Sequence, residues 1–488
     1  MFIDIPKEVK LVIDKLKKKG FEAYIVGGCV RDVLRGGDPE DWDIATNARP
    51  EEIQKVFPKS FYENNFFTVT VQTSSKNQKL KEIEVTTYRS EAKYTDKRHP
   101  DEIKFAKNIE EDLSRRDFTI NAIAIDIKPK LVFIDLFDGQ EDLKNKIIRT
   151  VGNPDERFSE DALRMMRAVR FSVFLGKGWE IEKNTAEAIK KHSSWIKAIS
   201  QERVRDEFLK IIMSERAAEG MEVLRGLGLL KYIIPELEEG YGIGQNKHHI
   251  YECYDHYLKS LDYAAKKGFN QDVRLAALFH DIGKPRAKRG EGESSTFYNH
   301  EMIGAKMVSQ ILDRLKFSKK QNKKITKLVR CHLFYYNPEE VGESSVRRLV
   351  VKAGPENMEE LLQVRMADRI GSGVPKAEPY KLRHLKYIIE KVAQDPISAK
   401  RLKVSGNDVM KILGIQPGPK IGQILDILLG YVLESPKDNT KKFLEKKIEE
   451  LGGLKDKELK NLSEKAGKEK EKLEVKRDEM TKKKYWVT

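Results

Sequence analysis

Tyr24-Ile25-Val26-Gly27-Gly28-Cys29-Val30-Arg31-Asp32 runs from a short apolar strand through two glycines into the start of a helix. Glycine at that turn lets the backbone approach phosphate, and Arg31, one turn in, adds a guanidinium for charge-assisted contact. A tight strand–helix turn requires glycine in any case, so the turn gains meaning from its neighbour in the chain, Asp41-Trp42-Asp43-Ile44-Ala45-Thr46. Read as a strand, residues i and i+2 share a face, and Asp41 and Asp43 present two carboxylates side by side. Such a pair repels unless cations lie between; Mg2+ ions bridged by carboxylates and phosphates align an in-line attack and neutralise a leaving pyrophosphate. A polar turn before a helix would spell the same letters.

Beyond this stretch the pattern divides the chain. Residues 1–20 predict an amphipathic helix, and Glu22–Val26, Thr68–Thr73, Ile83–Tyr88, Thr119–Ile127 and Val132–Asp135 predict strands. From Asp155 onward nearly everything reads as helix. The expected fold is therefore α+β: a small mixed-sheet head, then an all-helical body. The expected organisation is a head at 1–150, a helical neck at 151–244, a histidine-bearing domain at 245–375, a helical body at 376–452 and a charged tail, helical or disordered, at 453–488. Pro417-Gly418-Pro419 reads as a helix–helix turn or a backbone phosphate clamp.

Three further groups carry chemistry. Arg115-Arg116-Asp117 places two guanidinium forks and a carboxylate just before a predicted strand, a set suited to phosphate and ribose. Asp161, Arg164, Arg167 and Arg170 recur every third residue along a predicted helix whose Leu163, Met166 and Val169 row is apolar, which puts the charged row at the edge of a core or cleft. Glu84, at the start of a strand, is the candidate third carboxylate. His256, His280-Asp281, His300, His332 and Asp368 take four of the chain's nine histidines into one helical stretch; imidazoles with carboxylates suit a divalent cation that activates water. His248 and His249 read as loop histidines.

The glycine turn with Asp-x-Asp resembles the polymerase-β nucleotidyltransferase superfamily. Together with Arg115-Arg116-Asp117, Asp135–Leu143, Glu160-Asp161-x-x-Arg164 and Glu202–Glu207 it resembles the class II tRNA nucleotidyltransferases (CCA-adding enzymes) and the related bacterial poly(A) polymerases. That resemblance implies a polymerase-β-like head using Mg2+ at Asp41, Asp43 and Glu84. It implies nucleotide contacts from Gly27, Gly28, Arg31, Arg115, Arg116, Arg167 and Arg170, and a ribose test by Asp117. It also implies base reading by Asp161 and Arg164: a carboxylate accepts from the exocyclic amine of C or A and repels the carbonyl of U or G, while the arginine donates to the neighbouring acceptor. The expected partners are tRNA, CTP and ATP. Phe279-His280-Asp281-Ile282-Gly283-Lys284 resembles the HD phosphohydrolases, implying a divalent metal held by the histidine set and phosphodiesterase or phosphatase activity.

A loop spanning Arg89 to Phe105 has the length of A-adding family members, although Lys97-Arg98-His99-Pro100 departs from their usual two arginines before the proline, as does Asn65-Phe66-Phe67 from their usual His-Gly approach. The remaining alternatives are a poly(A) polymerase, a partial A- or CC-adding enzyme, a guanosine-polyphosphate synthetase-hydrolase, and a non-catalytic RNA-binding protein. The order of the domains and the C/A reader disfavour the third, and intact Asp41, Asp43 and Arg31 the fourth. A formal charge of +15 agrees with a polyanionic partner, though lysine-rich surfaces arise without one. Three scattered cysteines exclude a disulfide framework, and the absence of a signal peptide or membrane-length apolar run points to the cytoplasm.

Overall fold

The computed structural model describes residues 4–63, 67–92, 102–127, 130–245, 250–393 and 402–487. The chain forms two compact units, residues 1–333 with 359–375, and residues 334–358 with 376–488.

The first unit opens with α1 (Lys7–Lys18), β1 (Ala23–Val26), α2 (Gly28–Leu34), β2 (Asp43–Thr46), α3 (Pro50–Val56), β3 (Ser60–Glu63), β4 (Thr68–Gln72), β5 (Glu82–Thr87), the ribbon β6 (Arg89–Ala92) and β7 (Glu102–Phe105), α4 (Ile109–Ser114), β8 (Ile123–Asp126), β9 (Val132–Asp135) and α5 (Gly139–Asn145). Seven strands form one mixed sheet in the order β3-β4-β5-β2-β1-β8-β9. Within it β2 and β5 are parallel and the other pairs antiparallel. Alternation assigns the faces. Ile25, Ile44, Val69, Ile83, Val85, Ile123 and Ile125 bury against Val9, Ile13 and Leu16 of α1, Val30 of α2 and Ile53 of α3. The opposite parity buries Ala45, Tyr88 and Ala124 against Ile109 and Leu113 of α4 and sends Asp43 and Glu84 into the cavity. Register brings these two acids together, because Asp43 lies opposite Glu84 across the β2–β5 pair.

The rest of the unit is helical apart from the paired two-residue strands β10 (Ile147–Ile148) and β11 (Glu180–Ile181): α6 (Pro154–Glu160), α7 (Leu163–Phe174), α8 (Lys183–His192), α9 (Gln201–Ile212), α10 (Ala217–Gly226), α11 (Leu230–Ile233), α12 (Pro235–Glu238), α13 (Cys253–Lys266), α14 (Gln271–Phe279), α15 (Lys284–Ala287), α16 (His300–Arg314), α17 (Lys319–Cys331) and, after α18 (Glu343–Ala353) of the second unit, α19 (Met358–Gly371). The second unit continues with α20 (Tyr380–Ala393), α21 (Gly406–Leu413), α22 (Pro419–Glu434), α23 (Lys441–Gly452) and α24 (Asp456–Lys484), around a core of Val409, Ile424, Leu428, Leu444, Ile448 and Leu459. The charged tail is thus helical, and Gly430 of α22 meets Ala466 of α24 closely enough that an added Cβ would lie 3.2 Å from that of Ala466. Residues 334–358, read from the sequence with the histidines, pack with these C-terminal helices. Among the described residues no helix is long and apolar enough to cross a membrane.

Two sequence expectations need correction. The strand read over Thr119–Ile127 begins as a 3-10 turn, Thr119–Asn121, and only Ile123–Asp126 is strand. The turn is held by Thr119 Oγ1 donating to Asp142 (2.6 Å) and by α5, whose Gly139 lies so near that a Cβ there would meet Thr119 O at 2.3 Å. The single helix read through Asp161–Arg170 is two: α6 ends at Glu160, Asp161 is extended (φ −142°, ψ 104°), and α7 starts at Leu163. Asp161 therefore sits in a break, off the helical row of Arg164, Arg167 and Arg170. The A-addition loop read at 89–105 falls largely outside the described residues, as do Asn65-Phe66 and His248-His249.

Candidate active sites

A cavity of about 850 Å³ opens on the polar face of the head sheet, lined by Gly27, Gly28, Arg31, Asp41, Asp43, Glu84, Arg115, Arg116, Asp117, Asp161, Arg164, Arg167 and Arg170. Asp41 precedes β2 instead of lying in it, so strand alternation alone does not pair it with Asp43, yet both reach the same cavity. Burial raises the Asp43 carboxyl to about 7, with Asp41 and Glu84 adding like-charge repulsion against the pull of Arg116. Three acids crowded to that degree are matched to cations. Gly27 is required here: its φ is +82°, and a Cβ would lie 3.0 Å from Arg116 Nη1 and 3.2 Å from Asp43 Oδ2.

Across from the acids lies a layer of arginines. Arg31 Nη1 donates to Asn121 Oδ1 (2.8 Å), and Arg115 and Arg116 bind the buried Asp112 at 2.7 and 3.1 Å. Arg170 pairs with Glu207 of α9 at 3.2 Å. The Phe171 ring lies beneath the guanidinium groups of Arg31, Arg167 and Arg170, at 5.3, 5.5 and 4.3 Å. Asp117, expected at the ribose, lines the same cavity and is buried beside these arginines. Asp117 Oδ1 accepts from Phe118 N (2.9 Å) and Asn121 Nδ2 (3.1 Å), and its Oδ2 accepts from Arg167 Nε (2.7 Å), with Arg167 Nη2 ion-paired at 2.5 Å. Asp117 thereby anchors Arg167. Although burial pushes its pKa up, Arg167, Asn121 and Arg164 outweigh that and hold it at about 2.

The expected base readers face the same cavity. Arg164 donates to Glu160 (2.5 Å), Arg157 O (3.2 Å) and Arg115 O (3.0 Å), which fixes its guanidinium plane. Asp161 accepts from Leu163 N (3.0 Å) and is gripped by Arg203 Nη2 of α9 (2.7 Å). Arg203, Lys210 and Asn121, also in the cavity lining, were not singled out as site residues in the sequence. Spacing offered a signal for the α9 residues, since Arg203, Glu207 and Lys210 form an i, i+4, i+7 row.

A second cluster lies among α13, α14, α16, α17 and α19. His256, His280, Asp281 and Asp368 bring ligand atoms within 4.8 Å of one another, as do Asp281, His300 and His332. All six expected residues are buried and meet. Three imidazoles share one arrangement, with Nδ1 against a carbonyl three residues back: His280 with Ala277 O (2.8 Å), His300 with Phe297 O (2.7 Å) and His332 with Val329 O (2.7 Å). Donation by Nδ1 leaves Nε2 as the atom aimed inward. His300 Nε2 makes no hydrogen bond of good geometry, although it lies 3.1 Å from Asp281 Oδ1. An inward lone pair beside a carboxylate fits a divalent cation. Burial opposes protonation of His280, but the charges and hydrogen bonds of Asp281 and Asp368 outweigh it and raise its pKa, so the cluster favours positive charge between these two carboxylates. The adjoining cavity, about 640 Å³, is lined also by Lys284, Tyr298, Arg365 and Arg369. Lys284, which closes the HD motif and has no role legible in the sequence, brings its Nζ to 2.6 Å from Asp281 Oδ2.

Fold and cavity together define a class, a nucleotidyltransferase head joined in one chain to an HD domain. Residues 23–149 match the family described as "Poly A polymerase head domain", residues 178–240 "Probable RNA and SrmB- binding site of polymerase A" and residues 253–371 "HD domain". The chain is 33% identical to the CCA-adding enzyme of Ligilactobacillus salivarius over 91% of its own length and 99% of that protein's, and 32% identical to that of Enterococcus faecalis over 90% and 94%. It resembles the crystal structure of the Bacillus stearothermophilus CCA-adding enzyme in complex with CTP, with a TM-score of 0.58 and 28% identity over 91% of this chain and 98% of that one. The chain belongs to the CCA-adding enzyme family.

Proposed function

We propose that the protein adds C, C and A to the 3′ end of tRNA from CTP and ATP, without a nucleic-acid template. The observation that carries this reading is one cavity that holds both the Asp41, Asp43 and Glu84 acids and the Asp161–Arg164 pair. The acids would hold Mg2+, which supplies charge neutralisation and lowers the pKa of the attacking terminal hydroxyl. Arg31, Arg116 and Arg170 would bind the triphosphate, and Gly27 and Gly28 leave backbone amides uncovered beside it. Arg167, locked by Asp117, would add a fixed cation over the nucleotide. Asp161 and Arg164 would select bases bearing an amine beside an acceptor, worth roughly 1–3 kcal/mol per good contact. One protein pair thereby serves both C and A. Relatives named CCA-adding enzyme, and a solved one holding CTP, support this assignment. The test is a tRNA transcript lacking its 3′ end, incubated with labelled CTP and ATP: two C and one A are expected, whereas long A tracts from ATP alone would make it a poly(A) polymerase.

For the HD cluster we propose a divalent metal held by His256, His280, Asp281, His300, His332 and Asp368, and hydrolysis of phosphoesters. Lys284, Arg365 and Arg369 at the adjoining cavity supply positive charge for phosphate. The C-terminal unit, lysine-rich and helical, would contact the tRNA backbone without reading sequence.

A further inference from the structure

We infer that Arg203 of α9 is a positioning residue for nucleotide choice: it aims the carboxylate of Asp161. The inference rests on the reading of Asp161 as a base reader.

Asp161 occupies an extended break between two helices, so no helical backbone restrains its side chain. Two contacts do. Oδ1 accepts from Leu163 N at 3.0 Å, a local bond that still lets the carboxylate swing about that oxygen. Oδ2 is fixed by Arg203 Nη2 at 2.7 Å, and Arg203 Nη1 stands 3.5 Å from Oδ1. These bonds leave acceptor positions over for a base amine. Arg203 itself is firmly based, because α9 buries Val204, Phe208, Ile211 and Ile212 and ties to α7 again through Glu207 and Arg170. The aim of Asp161 is thus set from a different helix, against α7, which carries its partner Arg164.

Direction matters because discrimination is a matter of lone pairs. A carboxylate oxygen held toward the base edge accepts from the amine of C or A and faces the carbonyl of U or G with like polarity. A carboxylate free to turn away relieves that repulsion and weakens the good contact. Loss of Arg203 should therefore reduce selection more than it reduces catalysis. A guanidinium acting directly on the triphosphate would behave otherwise, weakening all four nucleotides alike.

The experiment measures kcat and KM for CTP, ATP, UTP and GTP on tRNA primers ending at each addition position, for the full-length protein and for Arg203→Ala, Arg203→Lys and Asp161→Ala, with melting curves to confirm folding. Arg203→Ala is expected to raise the UTP:CTP and GTP:ATP ratios of kcat/KM at least tenfold. Arg203→Lys, which keeps a cation on one oxygen, should restore part of the selectivity. An equal loss for all four nucleotides, or unchanged ratios in Arg203→Ala while Asp161→Ala loses them, overturns the inference. Unchanged ratios in Asp161→Ala overturn the base-reading role itself, and the inference with it.

Discussion

Gly283→Ala should disable the HD cluster without touching nucleotide addition. Gly283 has a helical backbone (φ −80°, ψ −12°), so alanine meets no dihedral penalty there. Space is the obstacle: a Cβ would lie 2.3 Å from His300 O, 2.6 Å from Gly304 N and 3.1 Å from Gly304 Cα, all backbone atoms of α16. Relief to ordinary contact moves the first turn of α16 by about 1 Å, at a cost of ~1–3 kcal/mol for overpacking. His300 begins that turn, and its Nε2 stands 3.1 Å from Asp281 Oδ1. A shift of that size takes it beyond the reach of a cation that binds imidazole at about 2.0–2.2 Å. Titration calorimetry with Mn2+ or Ni2+ on the metal-stripped protein, and hydrolysis of bis-p-nitrophenyl phosphate, read the effect. Metal affinity at this cluster should fall by about 10–100-fold, with Tm lower by a few degrees and CCA addition retained. Gly422→Ala is the control, since α22 leaves open space there and alanine favours helix by up to about 1 kcal/mol. Parental metal binding and hydrolysis in Gly283→Ala would refute the claim that this helix contact seats the cluster.

Asp41→Ala should abolish addition while sparing phosphodiesterase activity, and His280→Ala the reverse; assays of both activities on each variant check this, and loss of both from either change would sink the two-site reading. Without metal, native Asp43 binds its proton up to about pH 7 whereas the unfolded carboxyl releases it near 3.8. The folded state binds more protons across that window, so stability should fall as pH rises from 4 to 7, by at most about 4 kcal/mol. Urea denaturation across pH should show this slope, shallower in Asp41→Asn, which removes one neighbouring charge, and its persistence in Asp43→Asn would refute the assignment. Gly139→Ala drives a Cβ to 2.3 Å from Thr119 O and 2.8 Å from Ile123 Cγ1; it should destabilise the head by ~1–3 kcal/mol, read as a lower urea midpoint.

The head was legible where its chemistry is local. Gly27-Gly28 needs only a turn of left-handed backbone, β5 announces itself by alternation, and β1 reads as a short apolar run ending at the glycines. The pairing of Glu84 with Asp43 was legible only as a candidate, because β2–β5 register depends on a parallel crossing that no spacing within either strand encodes. Helix read in place of the break at Asp161 has a clear cause. Its letters carry helical periodicity on both sides, and the extended residue's partners are Leu163 N and Arg203, the latter 42 positions away. The partners of Asp117 were hidden in the same way, since its neighbours Arg115 and Arg116 turn to Asp112 while Arg167, 50 positions on, pairs with its carboxylate.

The HD cluster reverses this pattern. Its six residues were legible as a set although they lie on separate helices, because histidine is scarce in the chain and has few reasons to recur in an apolar helical stretch. What the letters could not supply is orientation. Each of three rings is turned by an Nδ1 bond to its own helix three residues back. That bond is local, but it is useful only because α14, α16 and α17 converge at Asp281. Composition found the donors, and the helix crossing at Gly283 brings them together: without the close approach the same histidines would be three ordinary helix ends, each hydrogen-bonded and none placed to share the proposed cation.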